Sequence, residues 1–384
     1  MRRMLAMFLA AVIFLDIICL GVIIFVPRRS PGGEPADDIF SKAHVVAAGN
    51  NIITDEMLIQ AKDRSNTGGY DFAMVYENIK QTVGEADVAI LTQEPLISSA
   101  HSVSGSGLFN CPPQLGDELV KTGFNVVNMA TPHMLDYGEE GLASTLAYWQ
   151  EKPEVTLLGA YPGKDEANDI HMKEVNGIKF AFVAFTQSTG GNSLPENSEM
   201  VIPLASEETR LSEKISFSKQ KADVVIVLAD WGNEYETRVT DEQRNLAVNM
   251  ASWGADVIIG THPRVIQQAE YIDNPDGTRS FVAYSLGNLV SSASRAEQLL
   301  GGLLSFDVVK NIEERTVSVE NIGISGVITH YGISMSKIRV YPLADYNDEL
   351  ALAHGIKETE ENFGMRYLGN LLDSEIDKKF TVTG

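Results

Sequence analysis

Unbroken runs of aliphatic residues recur along this chain, and each run ends in polar residues. Strands that are covered on both faces have continuous apolar runs of this kind, whereas half-exposed strands alternate between apolar and polar positions. We therefore predict buried strands in the following segments: 45–51, 85–94, 123–133, 221–230, 254–263 and 281–290.

Segments with helical spacing of apolar residues lie between these predicted strands, for example residues 137–152 and 240–253. Thr240 stands at the start of the second segment, in the position of a helix N-cap. Strands that alternate with helices are typical of an α/β sheet, and ligands of such sheets bind at the carboxyl ends of the strands. We therefore expect the polar ends of the runs to face one cleft.

The last part of the chain continues the same pattern. Further strand patterns and a terminal helix pattern occur at 301–309, 315–332, 336–343 and 355–376. Because no second linker separates them from the preceding residues, we predict one domain. It comprises residues 43–310 together with residues 311–384, whose strands and helix complete the fold.

The N-terminus differs from the rest of the chain. Residues 4–26 are almost continuously apolar, and as a helix they would extend roughly 35 Å, enough to cross a hydrocarbon core of about 30 Å. We predict an uncleaved single-pass membrane anchor over residues 1–29 and a short linker over residues 30–42. Arginines flank both sides of the apolar stretch, and the free amino terminus tips the balance towards a body outside the cell.

The charge of the chain restricts its partners. The formal net charge is −22 at pH 7. A nucleic-acid partner requires a basic face that displaces counterions, so we exclude nucleic acid. An anionic polymer could dock broadly only if a bound cation offset this charge.

Polar side chains at the ends of the predicted strands supply the candidate chemistry. Two histidines, His133 and His262, and two carboxylates, Glu94 and Asp230, suit Zn²⁺, Mn²⁺ or Fe. No two of them lie in a short ligand motif, so their spacing alone does not define a site. The other strand-end candidates are Asn50, Thr131, Asp136, Thr261, Arg264 and Asn288.

Six short motifs, in this order, resemble the bacterial capsule-synthesis CapA family, which is related in fold to the calcineurin-like metallophosphoesterases. They are GNN (49–51), TQE (92–94), TPHMLDYG (131–138), DWGNE (230–234), GTHPR (260–264) and YSLGN (284–288). The resemblance implies an α/β/β/α sandwich of the metallophosphoesterase type. It also implies a role in the synthesis of capsule, poly-γ-glutamate or another envelope polymer at the cell membrane, with polymer-synthesis proteins as partners.

Most of these motifs depart from the family pattern at a polar position. The aspartate of the family's Gly-Asp is Asn50, and the histidine of its His-Trp-Gly is Asp230. Two histidines of its Gly-His-His-Pro-His are Thr261 and Arg264. A dinuclear site depends on an anionic bridging ligand, which a neutral asparagine cannot replace. We therefore do not expect an intact two-metal centre.

One interpretation is a mononuclear site for a single divalent metal, Mn, Zn or Fe. Its ligands are Glu94, His133, Asp230, His262 and Asn50. The protein is then a metal-dependent hydrolase of the phosphoesterase type, with His133, His262 and Asp230 as its catalytic residues.

A second interpretation is a metal-free cleft in a degenerate relative that works as a binding or scaffold subunit. Arg264 then contacts an anionic small ligand or polymer, because a guanidinium binds carboxylate or phosphate in a bidentate manner. Its companions in ligand binding are Thr261, Asn288, Asp136 and Trp231. A third interpretation is that these residues are only hydrogen-bonded strand ends.

A serine nucleophile is the remaining alternative. Ser285 lies in AYSLG, which differs at one position from the Gly-x-Ser-x-Gly elbow of serine hydrolases. The residues that follow do not begin a helix at once, and the family resemblance explains the run better.

Overall fold

Two β-sheets lie at the centre of the fold in the computed structural model, which describes residues 39–382. The strands in chain order are β1 (Phe40–Asn51), β2 (Val88–Gln93), β3 (Ser104–Ser106), β4 (Leu108–Asn110), β5 (Val126–Asn128), β6 (Thr156–Leu158), β7 (His171–Val175), β8 (Ile178–Thr186), β9 (Val224–Asp230), β10 (Val257–Thr261), β11 (Ala269–Asp273), β12 (Arg279–Ala283), β13 (Asn288–Val290), β14 (Leu300–Asn311), β15 (Thr316–His330) and β16 (Arg339–Pro342). Within the described residues, the first sheet has the order β16-β15-β14-β1-β2-β5-β6, with β13 also paired to β1. The second has the order β11-β12-β10-β9-β8-β7, and β3 and β4 form a separate hairpin.

Helices connect most of the parallel strands. In chain order they are α1 (Asp55–Arg64), α2 (Ala73–Tyr76), α3 (Lys80–Gly84), α4 (Pro113–Thr122), α5 (Gly138–Gln150), α6 (Lys164–Asn168), α7 (Glu208–Lys219), α8 (Asp241–Trp253), α9 (Ala296–Leu299), α10 (Asp348–Ala353) and α11 (Met365–Glu375). Short 3₁₀ turns lie at Glu77–Ile79, Ile333–Met335, Leu343–Asp345 and Gly355–Glu358. The predicted N-cap of α8 is confirmed, because the Thr240 hydroxyl accepts from the Gln243 N–H at 3.1 Å.

The central strands are covered on both faces, as their unbroken apolar runs predict. In β9, Val225 and Val227 pack in a core with residues of α7 and α8, such as Ile215. Their neighbours in the chain, including Ile226, belong to a larger core that they share with the first sheet and with α1, α4 and α5. The two sheets therefore pack against each other with helices against both, and the predicted α/β architecture is confirmed.

Parallel pairing brings the carboxyl ends of six strands to one region. In the first sheet β1, β2 and β5 are parallel, and in the second sheet β9, β10 and β12 are parallel. A Cβ atom at Gly49 would lie 2.0 Å from the carbonyl oxygen of Gly287, a distance that no real side chain tolerates. The end of β1 can therefore approach the loop after β12 because residue 49 is a glycine.

Three predicted segments differ from the structure or lie outside it. Strand β1 begins at Phe40, within the predicted linker, because Phe40 pairs with Asn311 of β14. The predicted terminal helix at 355–376 is divided into a 3₁₀ turn and α11, since Phe363 turns into the core between them. The predicted anchor at residues 4–26 lies outside the described residues. Among residues 39–382, no helix has the length and apolar character needed to cross a membrane.

Candidate functional site

Six side chains from the ends of strands in both sheets form what we call the strand-end cluster. Its members are Asn50, Glu94 and His133 from the first sheet and Asp230, His262 and Arg264 from the second. They lie at or just after the ends of β1, β2, β5, β9 and β10. The structure thus brings together the residues that the sequence places at separate strand ends.

Asn50 joins the two sheets through its side-chain amide. Its Nδ2 donates to Glu94 Oε1, and its Oδ1 accepts from the backbone N–H of His262 at 3.2 Å. A carboxylate could accept but could not donate to Glu94. Both polar atoms of Asn50 therefore have protein partners, which does not fit its predicted role as a metal ligand.

Arg264 occupies the centre of the strand-end cluster. Its Nη2 lies 3.2 Å from His133 Nε2 and 3.8 Å from Glu94 Oε2. Its Nε lies 3.0 Å from Glu234 Oε1, although the N–H is not directed at that oxygen and makes an ion pair rather than a hydrogen bond. The guanidinium is thus already held by two carboxylates, which does not fit its predicted role as the contact for an anion.

His133 is oriented by a carboxylate and faces the guanidinium. Its Nδ1 lies 3.0 Å from Asp136 Oδ2, which also accepts from the Phe109 N–H at 2.7 Å. Burial lowers the pKa of His133, but the Asp136 hydrogen bond and the nearby Glu94 outweigh this effect and raise the pKa. The contact with Arg264 requires an unprotonated Nε2 because a guanidinium only donates. The ring is therefore neutral while Arg264 contacts it, although its pKa is raised.

Asp230 and His262 form the other side of the strand-end cluster. Asp230 Oδ1 accepts from the Thr186 hydroxyl at 2.8 Å and lies 3.8 Å from His262 Nδ1. Burial, and then the charge of Glu94, raise the pKa of Asp230 well above its ordinary value. Burial also lowers the pKa of His262. Both shifts disfavour charge on these two groups, so this side holds little net charge of its own.

The predicted metal ligands do not form a metal site in this structure. Within residues 39–382, no three His, Cys, Asp or Glu side chains converge in an arrangement that could hold a metal ion. The reason is local: the guanidinium of Arg264 contacts Glu94 and His133 on the faces that a shared metal would need. The set of Glu94, His133, Asp230, His262 and Asn50 therefore stays a prediction as metal ligands, and in this structure the guanidinium of Arg264 contacts two of its members.

Several remaining predicted residues support the strand-end cluster. Asn288 Nδ2 donates to the Arg264 carbonyl at 3.2 Å and to the Gln298 carbonyl at 2.8 Å. The buried Thr131 hydroxyl lies 3.4 Å from the His133 N–H. The buried Thr261 pairs with Asp230 in the parallel register of β10 and β9.

Two predicted residues have structural roles instead. Trp231 is fully buried in the core beneath α7 and α8, and its Nε1 donates to the Tyr284 carbonyl at 2.9 Å. Its only polar side-chain atom has a partner and the residue is 1% exposed, so its ring is not accessible to a ligand in this structure. Ser285 is also buried, and its hydroxyl donates to the Val265 carbonyl at 2.7 Å, which does not fit a nucleophile.

Two contacts of the strand-end cluster were not among the predicted site residues. Glu234 pairs with Arg264, and Thr186 donates to Asp230. Glu234 stands in the DWGNE motif, so the family pattern could have identified it. Thr186 ends β8, whose apolar run has the same form as the predicted strands.

The fold and the motifs agree with a family assignment. The family model for "Bacterial capsule synthesis protein PGA_cap" matches residues 44–293, and the chain belongs to this family. This stretch contains all six members of the strand-end cluster, and with them the ends of the strands that carry them.

Two curated relatives show the same relationship. The chain is 35% identical over 190 residues to the PGA biosynthesis protein CapA of Bacillus subtilis (strain 168), covering 49% of this chain and 48% of that protein. It is 32% identical over 174 residues to the capsule biosynthesis protein CapA of Bacillus anthracis, covering 44% and 41%. The match thus spans about half the length of these relatives or somewhat less.

Similarity to solved structures is distant. The NAD nucleotidase of Haemophilus influenzae is 14% identical, with a TM-score of 0.44 and coverage of 88% of this chain and 60% of that chain. At this TM-score the similarity supports no conclusion about activity.

Proposed function

We propose that this chain is a membrane-anchored binding or scaffold subunit in the synthesis of capsular poly-γ-glutamate or another envelope polymer. Membership of the capsule-synthesis family supports the process. The apolar residues 4–26 support a single-pass anchor with the body outside the cell. In this proposal the cleft binds a ligand without a metal and is a degenerate form of a phosphoesterase site.

The observation that carries the proposal is the position of Arg264. Two unit charges 4 Å apart repel by roughly 4 kcal/mol near a protein surface, and a dication beside a guanidinium by about twice that. Since the Arg264 guanidinium contacts both Glu94 and His133, a divalent metal bound to these two side chains would meet this repulsion. The arginine thus supplies the positive charge that a metal would otherwise bring.

A mononuclear metal-dependent hydrolase is the second candidate. Glu94 Oε2, Asp230 Oδ2 and His262 Nδ1 are buried and have no hydrogen-bond partner within the described residues. Together with His133 they could hold one divalent ion if Arg264 moved away. Such an ion would act as a Lewis acid and lower the pKa of a bound water.

Metal content distinguishes the two candidates. The full chain in detergent is incubated with Mn²⁺, Zn²⁺ or Fe²⁺, desalted and analysed by mass spectrometry, and tested for Mn²⁺-dependent hydrolysis of a model phosphoester. The proposal expects neither retained metal nor turnover. Arg264→His is the matched variant, because it removes the cation and restores an imidazole. One equivalent of metal together with phosphoester turnover in the wild type, both lost in His133→Ala and His262→Ala, would establish the hydrolase instead.

A further inference from the structure

Unpartnered polar atoms are concentrated in the cleft. Nine buried side-chain atoms lack a hydrogen-bond partner within residues 39–382. Six of them lie in the strand-end cluster or on its neighbours Thr261 and Asn288, which together we call the cleft. One is the donor Arg264 Nε, and the other five can accept a hydrogen bond: Glu94 Oε2, Asp230 Oδ2, Thr261 Oγ1, His262 Nδ1 and Asn288 Oδ1. Buried polar atoms in proteins nearly always have partners. The cleft therefore has the hydrogen-bonding capacity of a site that receives a donor.

The charges of the cleft favour a positive ligand. Glu94 and Glu234 supply two carboxylates beside the single guanidinium of Arg264, so the carboxylates outnumber the cation by one. Burial raises the pKa of Asp230, so this residue contributes hydrogen-bonding oxygens rather than charge. Glu94 is 2% exposed, so solvent screens its charge little. An anion would be repelled by this excess charge. A monovalent cation would balance it and, unlike a divalent metal, would meet the repulsion of Arg264 with only one unit of charge.

An exposed aromatic residue lies next to the strand-end cluster. Tyr235 follows Glu234, is 54% exposed, and has a left-handed backbone with φ of 66°. Its N–H donates to the Pro263 carbonyl at 2.7 Å, which fixes it beside the loop of His262 and Arg264. An exposed tyrosine held in this conformation can cover the aliphatic part of a ligand whose polar end enters the cleft.

We propose that the cleft binds the protonated primary amine of a longer molecule, with the ammonium group among Glu94, Asp230 and Thr261 and the adjoining carbon chain against Tyr235. An ammonium group has three N–H donors and one positive charge, which match the unpartnered acceptors and the one carboxylate in excess of the guanidinium. This inference rests on the proposed function, since it requires a cleft without a metal.

The test uses small probes that distinguish an ammonium group from a carboxylate and a longer carbon chain from a single methyl group. Calorimetry measures binding of n-butylammonium, methylammonium and butyrate to the full chain in detergent, in a buffer free of other amines. We expect both ammonium ions to bind and butyrate not to bind. Tyr235→Ala should weaken n-butylammonium about threefold and leave methylammonium unchanged, since only the longer probe reaches the ring.

Variants of the acceptors complete the test. Asp230→Asn keeps the size of the side chain but replaces an oxygen with an amide donor, and should weaken both ammonium probes at least tenfold. Thr261→Val removes one acceptor and provides a second variant if Asp230→Asn does not fold. Asp276→Asn, in the exposed turn between β11 and β12, is the control and should bind like the wild type.

The outcomes separate this inference from the proposed function. If no ammonium probe binds and no metal is retained, the amine assignment is overturned and the metal-free subunit stands. Stoichiometric retention of metal overturns both. Binding of butyrate that is lost in Arg264→Met overturns the amine assignment in favour of an anion.

Discussion

At the scale of single residues, the cleft depends on a neutral amide and a guanidinium. Asn50 links Glu94 in the first sheet to the His262 backbone in the second, and Arg264 lies against Glu94 and His133. Asn50 has N–H donors that an aspartate in its place would lack, and Arg264 has donors that an unprotonated imidazole nitrogen in its place would lack. Both positions are among those where this chain departs from its family pattern, so they help to determine what the cleft can bind.

The amide of Asn50 can be tested by Asn50→Asp. The variant loses the donor to Glu94 and places two buried carboxylates together, so we expect it to be about 1–3 kcal/mol less stable. Urea unfolding followed by tryptophan fluorescence at pH 7.5 in EDTA measures this difference. Asn66→Asp, in an exposed loop, is the control. Equal stability of Asn50→Asp and the wild type would show that the amide is not needed.

We expect removal of the Arg264 guanidinium to destabilise the protein more than Asn50→Asp does. Arg264→Met keeps the length of the side chain but leaves Glu94 and Glu234 without their cation. Removing one partner of a buried ion pair costs about 3–5 kcal/mol, which we expect to see in urea unfolding. Arg366→Met, on the exposed face of α11, should change stability by less than about 0.5 kcal/mol. If the two variants behaved alike, Arg264 would not hold the cleft together.

At the scale of elements, the cleft exists because β1 and the loop after β12 approach closely. Asn50 pairs with Asn288 of β13 in parallel register, and its N–H donates to the Gly287 carbonyl at 2.9 Å. This contact carries the end of β1 towards the second sheet, so that Asn50 reaches His262. The geometry of the strand-end cluster is thus set by backbone contacts between elements.

Gly49→Ala tests this approach. The new Cβ would lie 2.0 Å from the Gly287 carbonyl oxygen, so the strand must move, and we expect a loss of about 3 kcal/mol or more. Gly369→Ala in α11 is a matched control, since a Cβ there has no atom within 4 Å, and it should raise stability by up to about 1 kcal/mol. Circular dichroism during urea unfolding measures both. A small effect of Gly49→Ala would mean that the strand ends can separate easily.

The sequence predicts the strands of the cleft better than the contacts within it. The apolar runs that end at Glu94 and Asp230 identify β2 and β9, because burial on both faces leaves a local signal. The contact of Arg264 with His133 has no such signal, since it depends on how one sheet packs on the other. For the same reason Trp231, which stands in a family motif, looked like a ligand contact although it packs in the core. The match to the family pattern identifies which residues lie at the site, but it does not identify the side chains that they contact.

At the scale of the whole molecule, the residues beyond the family match complete the first sheet. The match ends at residue 293, whereas β14, β15 and β16 follow it and extend the sheet from β1. His330, at the end of β15, and His354, after α10, join this edge to the last part of the chain. Their rings lie 5.0 Å apart, and His354 Nε2 donates to the Thr329 carbonyl at 3.0 Å. These two buried histidines therefore connect the C-terminal segment to the sheet.

Mild acid should loosen this connection. Burial, and for His330 also the nearby charges of His354 and Arg339, lower the pKa of both rings from 6.5 to about 4. The surrounding groups include the Tyr346 hydroxyl, 2.8 Å from His330 Nδ1, and the Ile356 N–H, which donates to His354 Nδ1 at 3.0 Å. Protonation of His354 Nδ1 would break that last bond. The folded state therefore binds fewer protons than the unfolded state between pH 6.5 and pH 4, so stability is complete above this window and falls as the pH is lowered through it.

The size of the loss follows from the pKa difference. One pKa unit corresponds to about 1.4 kcal/mol, so each histidine contributes on the order of 3 kcal/mol of destabilisation by pH 4. Urea unfolding at intervals from pH 8 to pH 4 measures the slope, and His354→Asn provides the comparison, because an asparagine oxygen can still accept from the Ile356 N–H. We expect the variant to lose less stability than the wild type across the window, whatever its stability at pH 8. Parallel curves for the two proteins would place the acid sensitivity elsewhere, since carboxylates that titrate below pH 5 contribute equally to both.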